Sequence, residues 1–384
     1  MKYAPVMWNI ARAIGNSLVE EGHQTRYLLS SAYDWMTNEE EPRADVELIS
    51  TRNASNPLMS LAGFYSSGGA HQVRKAFAKD PPRILIFVNL DQFVDRVIIR
   101  EAKKANPHVR IILLIHEPYT EDKKVYGWKR AGLLLVYEAL TRSLIRNSAA
   151  LILPSPHAAQ TWKKHSGRIE TDFRMMPLPY LDERCPQNLP RTHISFVGQI
   201  KHAHQKGLDL FLELIEFSAQ EGNDLQFRLV TGNNTDECLK ELSPAAQSKL
   251  EVVTGTPLTD AMINKALRSS LVAVALQRRV MQSGAVPIAM MNGTPMLVSQ
   301  LPGLTQFIQE GENGMSSPLQ SSTEERVRIL QDIQQNIDSM SRSARRYYEE
   351  NFDSQNVRQH IPWLLGEPGA HRPIDAPQDL DSNS

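Results

Sequence analysis

The clearest hydrophobic pattern lies between residues 194 and 314, where short apolar runs alternate with polar loops and amphipathic stretches. Residues 194–197 (ISFV) are one such run, stopped by Gly198, and from about residue 208 Leu208, Leu210, Phe211, Leu214 and Ile215 recur at helical spacing. A strand, a polar loop and a helix are predicted. The arrangement then recurs: residues 271–276 (LVAVAL) read as a buried strand, 277–283 as a polar and basic loop, and 284–291 as a short apolar helix ended by Asn292-Gly293. Pro295 leads into a further strand at 296–299.

The N-terminal half alternates in the same way. Residues 5–21 read as a helix, with Pro5 in the first turn where proline is tolerated. Strands are predicted at 24–29, 46–50, 83–88 and 109–115, with a helix at 92–104 between the last two. After Glu117-Pro118 a long amphipathic helix covers about 126–146, and its stripe Leu133, Leu134, Val136, Tyr137, Leu140 and Leu144 reads as core packing. A strand at 149–153 is closed by Pro154-Ser155. Alternation of this kind predicts an α/β fold with a parallel sheet covered by helices. Pro177, Pro179, Pro186 and Pro190 mark the passage into a second domain. Helices follow at 323–340 and 342–351, with a last short one at 357–365. Residues 366–384 are rich in Pro, Asp, Ser and Gly and are expected to be a disordered tail.

Composition narrows the classes. A chain of 384 residues is long enough for two or three domains with separate cores. The net charge of −1 gives no reason to expect a nucleic-acid partner. Cys185 and Cys238 are far apart and lack a metal-ligand spacing, so a reducing compartment is expected, with neither a disulfide framework nor a metal site. No segment approaches the ~18 consecutive apolar residues of a membrane span, and the N-terminus lacks the apolar core of a signal peptide. A cytoplasmic location is expected.

The chemistry concentrates in two loops at strand ends. The first carries Lys201 and Lys206 and reaches Gly207 where the helix opens; the second ends at Ser283 and Gly284, at another helix start. A helix N-terminus offers unpaired N–H groups and a partial positive charge, which suits a phosphate. Lys206 reads blandly as a solvated lysine, but the dipole disfavours it there, which argues for an anion nearby. The spacing is not that of a Walker-type ATPase. In an open parallel sheet the ligand crevice lies beyond the carboxyl ends of the strands, so both loops can face one ligand.

Two segments carry a family resemblance. FVGQIKHAHQKGLDLFLE resembles the FVGR…KG.D.LL segment of glycosyltransferase family 4, and QSGAVPIAMMNGTPMLVSQLPGLTQFIQEGENG resembles that family's later SG…G.P…G.NG segment. The resemblance extends over most of the chain and implies the GT-B fold. That fold has two Rossmann-like parallel-sheet domains facing each other across a cleft, with a C-terminal helix crossing back. The boundaries expected are 1–185 for the acceptor-side domain, 186–345 for the nucleotide-sugar domain, 346–365 for the returning helix and 366–384 for the tail. It also implies a retaining, metal-independent transferase whose donor is a UDP- or GDP-sugar, with a glycan or lipid-linked acceptor and no further cofactor. A domain of this family begins with a central strand before its first helix, yet Met1 stands almost at the helix here. Either the first strand is missing or the start codon lies further upstream.

Carried over residue by residue, the resemblance puts Gly198, Gln199, Lys206, Arg278, Ser283, Gly284 and Gln306 at the donor and His116 beside the transferred sugar. Gln199 stands where many members carry an arginine, so Lys206 has more of the diphosphate charge to neutralise. Val280 and Ile288 occupy the positions of two glutamates, and Gln282-Ser283-Gly284 fits a branch with Ser-Gly in this turn. Gln306 replaces a glutamate often found near the ribose. Arg278 and Arg279 read equally as a diphosphate contact and as a solvated pair. Ser283-Gly284 has the alternative of an ordinary helix cap, and His116 that of a hydrogen-bonding residue at a strand end. Lys123, Lys124, Trp128, Lys129 and Arg130 form a basic, aromatic patch suited to peripheral contact with anionic lipid, or a solvated helix start; Glu39-Glu40-Glu41 reads as a solvated loop. The departures at Gln199, Val280 and Ile288 keep a second class open, an inactive GT-B subunit that stabilises a partner transferase. A GT-B epimerase is disfavoured, because a set of cleft carboxylates and histidines is not evident.

Overall fold

The computed structural model describes residues 4–31, 44–50, 57–117, 119, 127–167, 169–200, 203–255, 258–280 and 283–367. They divide into two compact units, Met1–Leu181 with Ser354–Ser384, and Asp182–Asp353. Glu39-Glu40-Glu41, Lys123, Lys124, Lys201, Gln282 and the tail from 368 onward lie outside the described residues, as do the side chains of Trp128, Lys129 and Arg130.

In the first unit, β1 (Arg26–Ser30) pairs in parallel with β2 (Asp45–Ile49). β3 (Ile84–Phe87), β4 (Arg110–Leu114), β5 (Ala150–Leu153) and β6 (Asp172–Met175) form a separate parallel sheet in chain order. The single sheet predicted for this half is therefore two among the described residues. β5 is buried along its whole length and β4 on four of its five residues, whereas β1 and β2 bury one residue each. Ile111, Leu113, Leu151 and Leu153 pack with Phe77, Val97, Leu144 and Trp162 in one core.

The long helix is Gly127–Ile145, but its stripe is not the core packing expected. Leu133 and Val136 are about half exposed and only Leu144 is fully buried. Leu133, Leu134, Leu135 and Val136 are consecutive, so they point around the whole helix and no single face can bury them all.

The chain rejoins this unit at Ser354. A 3-10 helix, Ser354–His360, is followed by the short helix Ile361–Leu365, where one helix was predicted. Pro362 explains the division, since it suits the opening turn of a new helix and cannot donate to a preceding one. Ser17 Oγ donates to the Ser354 carbonyl at 3.2 Å, Trp363 Nε1 to Asp172 Oδ2 at 3.0 Å and Arg110 Nε to the Leu364 carbonyl at 3.2 Å.

The second unit holds β7 (His193–Val197), β8 (Gln226–Thr231), β9 (Leu250–Thr254), β10 (Ser270–Ala275), β11 (Met296–Ser299) and β12 (Gly314–Ser317). All pair in parallel in the order β12-β11-β10-β7-β8-β9. This is the Rossmann order, with the reversal between β7 and β10. β10 and β11 are buried at every position, as expected of central parallel strands covered on both faces. Phe211 of the helix Leu208–Gln220 packs on Phe196 and Phe227, with ring centroids 5.5 and 5.8 Å apart. The helices predicted at 323–340 and 342–351 are Thr323–Gln335 and Ile337–Asn351. Asn336 sets the break, at φ −107° and ψ 16°, with its side-chain amide donating back to the Asp332 carbonyl at 2.9 Å. Ser341, where the break was expected, lies within the second helix and donates to the Gly293 carbonyl at 2.7 Å.

Candidate functional site

The reversal between β7 and β10 brings the two candidate loops together. Gly198 follows β7 with φ 154°, a conformation that side-chain-bearing residues rarely adopt, and its N–H donates to the Val230 carbonyl of β8 at 3.0 Å. Gln199 is exposed. The Ile200 N–H donates to Asn233 Oδ1 at 3.0 Å, which fastens the loop after β7 to the loop after β8. The rest of the polar stretch is not all loop: Ala203–Lys206 makes one helical turn. Gly207 then caps the helix Leu208–Gln220 at φ 73°. A Cβ there would stand 1.9 Å from the Leu276 carbonyl oxygen, so only a glycine lets this helix start seat against the end of β10.

The second loop answers side chain to side chain. Lys206 Nζ donates to Gln277 Oε1 at 3.4 Å, and Gln277 Nε2 donates to Ser283 Oγ at 3.1 Å. Gln277 and Ser283 are both buried. Gly284 then opens the helix Ala285–Met291. Arg278 is spent on the loops themselves. Its N–H donates to the Gln205 carbonyl at 3.0 Å, and its guanidinium donates to the His204 carbonyl at 2.6 Å and to Asp209 Oδ1 at 2.7 Å. Burial would raise the Asp209 carboxyl, but the Arg278 hydrogen bond and charge outweigh it and hold the group below the ordinary carboxylate range. Asp209, in the first turn of its helix, also suits the dipole.

Gln306 ends the turn Pro302–Thr305 beyond β11, and its Nε2 donates to the Gly303 carbonyl at 3.2 Å. His116 belongs to the other unit, two residues past β4, with Nε2 3.4 Å from the Val88 carbonyl. Burial pushes its pKa down to about 4, partly opposed by that carbonyl, so the ring is neutral at neutral pH. With Nε2 donating to Val88, Nδ1 is left as a hydrogen-bond acceptor.

Residues 191–335 match the family model described as Glycosyl transferases group 1. HepE of Anabaena in complex with UDP and glucose superposes with a TM-score of 0.68 at 13% identity, over 95% of this chain and 96% of that one. Sucrose-phosphate synthase from Thermosynechococcus elongatus gives 0.68 at 13% identity, over 93% and 92%. The pneumococcal O-GlcNAc transferase GtfA in complex with UDP and GlcNAc gives 0.58 at 15% identity, over 77% of this chain. The match spans only 59% of the length of that transferase. None of the curated protein sequences matches this chain.

The fold is that of a GT-B glycosyltransferase. Within the stretch that matches the group 1 model, the candidate residues Gly198, Lys206, Ser283 and Gly284 stand around the β7/β10 reversal, while Arg278 bonds the two loops to each other. Gln277 is the residue the sequence reading passed over. A polar side chain directly after a fully apolar strand, at the mouth of the expected crevice, was the available signal. Among the described residues no helix is long and apolar enough to cross a membrane.

Proposed function

We propose that the protein is a retaining glycosyltransferase of family 4, in its Ser-Gly branch, moving a sugar from a UDP- or GDP-linked donor to a glycan or lipid-linked acceptor. The observation that carries this reading is the Lys206–Gln277–Ser283 chain, which joins the two loops at the β7/β10 reversal. A diphosphate placed there meets the Lys206 ammonium, the backbone at Gly198 and the Ser283-Gly284 turn. Two of the similar structures are described with UDP, which favours uridine among the nucleotides.

As the bond from the anomeric carbon to the donor phosphate breaks, negative charge gathers on the leaving diphosphate. Donors fixed before the reaction lower that barrier without reorganising. Gln277 holds Lys206 and Ser283 in register for this purpose. In the front-face mechanism the acceptor hydroxyl attacks from the side the diphosphate leaves, and a leaving phosphate oxygen takes its proton. His116, neutral and presenting Nδ1, accepts a hydrogen bond from a sugar hydroxyl and orients the ring.

Titration with UDP and GDP, comparing wild type with Lys206→Ala, tests the donor site. Loss of one charge-assisted hydrogen bond, about 1.5–3 kcal/mol, weakens binding roughly 10- to 100-fold. His116→Ala is expected to keep nucleotide binding and lose turnover. Proton NMR of the product reports whether the anomeric configuration is kept. Failure of a panel of sugar nucleotides to bind overturns the assignment.

A further inference from the structure

At the opposite, amino-terminal edge of the same six-stranded sheet lies a cavity of about 630 Å³. It opens among the residues that lead into β7, β10 and β11 and against the helix Ile337–Asn351. A strand of five residues rises about 17 Å, so the cavity stands well away from the loops at the carboxyl ends.

Its lining is cationic. Arg184, Arg191, Arg268, Arg342, Arg345 and Arg346 face two carboxylates, Asp338 and Glu349. Arg345 is compensated, with Nη2 2.6 Å from Asp182 Oδ2 and Nε 2.7 Å from Glu349 Oε1. Arg184 leans on the same Asp182 at 3.7 Å. Arg342 and Arg346, one helical turn apart and exposed at the rim, enter no ion pair with the described residues.

The floor brings two like charges together. Arg191 Nη1 donates to the Ser270 carbonyl at 2.7 Å and to Thr294 Oγ1 at 3.1 Å. Its Nη2 donates to the Asn292 carbonyl at 2.8 Å, and that oxygen also accepts from Arg268 Nη1 at 3.3 Å. Burial first and the Arg268 charge second push Arg191 down to about 10, with Asp338 as the opposing influence. A fold that holds two guanidiniums on one carbonyl, beneath a rim of uncompensated arginines, has positive potential left over for an anion. Guanidinium forks match phosphate oxygens in pairs.

We propose that this cavity binds a phosphate or diphosphate group, at a second anion site distinct from the candidate donor loops. The group is shared by soluble phosphorylated metabolites and by anionic lipid headgroups, and the experiment separates them. The full-length protein is titrated with inorganic pyrophosphate in the presence of saturating UDP and, separately, as the Lys206→Ala variant. It is also cosedimented with phosphatidylcholine vesicles with and without phosphatidylglycerol. Pyrophosphate is expected to bind in both backgrounds, and the rim variant Arg342→Glu/Arg346→Glu to weaken it at least tenfold while leaving UDP affinity unchanged. Sedimentation that requires phosphatidylglycerol and is lost in the rim variant assigns the group to a lipid; pyrophosphate binding without it assigns a soluble ligand. The proposal is overturned if neither probe binds, if the rim variant binds both as wild type does, or if UDP displaces pyrophosphate completely. Because the Lys206→Ala arm does not depend on UDP, failure of the donor site and failure of this site remain distinguishable.

Discussion

Gly207→Ala isolates the contact on which the candidate donor site depends. The site's two loops meet where Gly207, at φ 73°, places its Cα against the Leu276 backbone. An alanine there has two costs. The left-handed backbone costs about 1–2 kcal/mol for any residue with a Cβ. The new methyl would also stand 1.9 Å from the Leu276 oxygen and 2.6 Å from its carbonyl carbon, so helix and strand end must part by more than an ångström. Overpacking of that kind adds about 1–3 kcal/mol or more. Gly222 supplies the control, since its φ is 64° and nothing lies within 4 Å of a Cβ built there. The unfolded-chain contribution of Gly→Ala is common to both variants and cancels. At about 2–4 °C per kcal/mol for a unit of this size, Gly222→Ala should melt a few degrees below wild type and Gly207→Ala about 10 °C below. Differential scanning calorimetry reads the difference, and hydrogen exchange of peptides covering 204–212 and 272–280 shows whether the disturbance sits at the junction. UDP affinity should fall in Gly207→Ala and hold in Gly222→Ala. Equal melting points with equal UDP affinity would refute the packing of the two loops.

Three further outcomes are expected. Gln277→Leu leaves the buried Ser283 hydroxyl without its donor and costs about 1–3 kcal/mol; Gln277→Glu keeps a partner for Lys206 but sets a carboxylate beside the proposed diphosphate position, so nucleotide titration should show weaker binding with little change in melting. His116 and His360 both have pKa values pushed down to about 4 from 6.5, His116 by burial and His360 by burial and then the Arg174 charge. Bases held neutral in this way give their full stability above pH about 6.5; it is lost as pH falls toward 4, at up to about 1.4 kcal/mol per pH unit for each. Urea unfolding followed by tryptophan fluorescence reads this unit, because all five tryptophans lie in its segments, and His360→Leu should reduce the slope by about half. Arg345 forks Asp182 through two hydrogen bonds, 3.1 and 2.6 Å, and Arg345→Lys, unable to reproduce the fork, should cost about 1.5–3 kcal/mol by urea denaturation followed by far-UV circular dichroism.

What the sequence made legible follows burial. ISFV and LVAVAL are covered on both faces, so their apolar runs read directly as central strands, and the turns beside them followed. β8 (QFRLVT) gave no such run, because Arg228 stands in its middle, paired with Glu251 at 2.8 Å and bonded to the Ala266 carbonyl at 3.0 Å. β12 begins with Gly314 and ends in two serines, and β6 is short and half-buried. At the site, Gly207 was legible as a helix opening, but its approach to Leu276 is a tertiary fact without a local pattern. In the sequence Arg278 reads as a phosphate contact or a solvated arginine; its pairing with Asp209, 69 positions away, is a tertiary contact that neither reading contains. The misread stripe on Gly127–Ile145 shows the limit of periodicity: four apolar residues in succession satisfy a helical stripe and contradict it at once.

The return of the chain at Ser354 governs how this protein is born. The second unit is one uninterrupted stretch, whereas the first waits for residues made after it. At about 5–20 residues per second the ribosome leaves that wait on the order of ten seconds or more. Throughout it, Asp172, Ser17 and Arg110 lack the partners that Trp363, Ser354 and Leu364 later bring. The half encoded second can therefore mature first, while the N-terminal half completes these contacts only once residues 354–364 have been made.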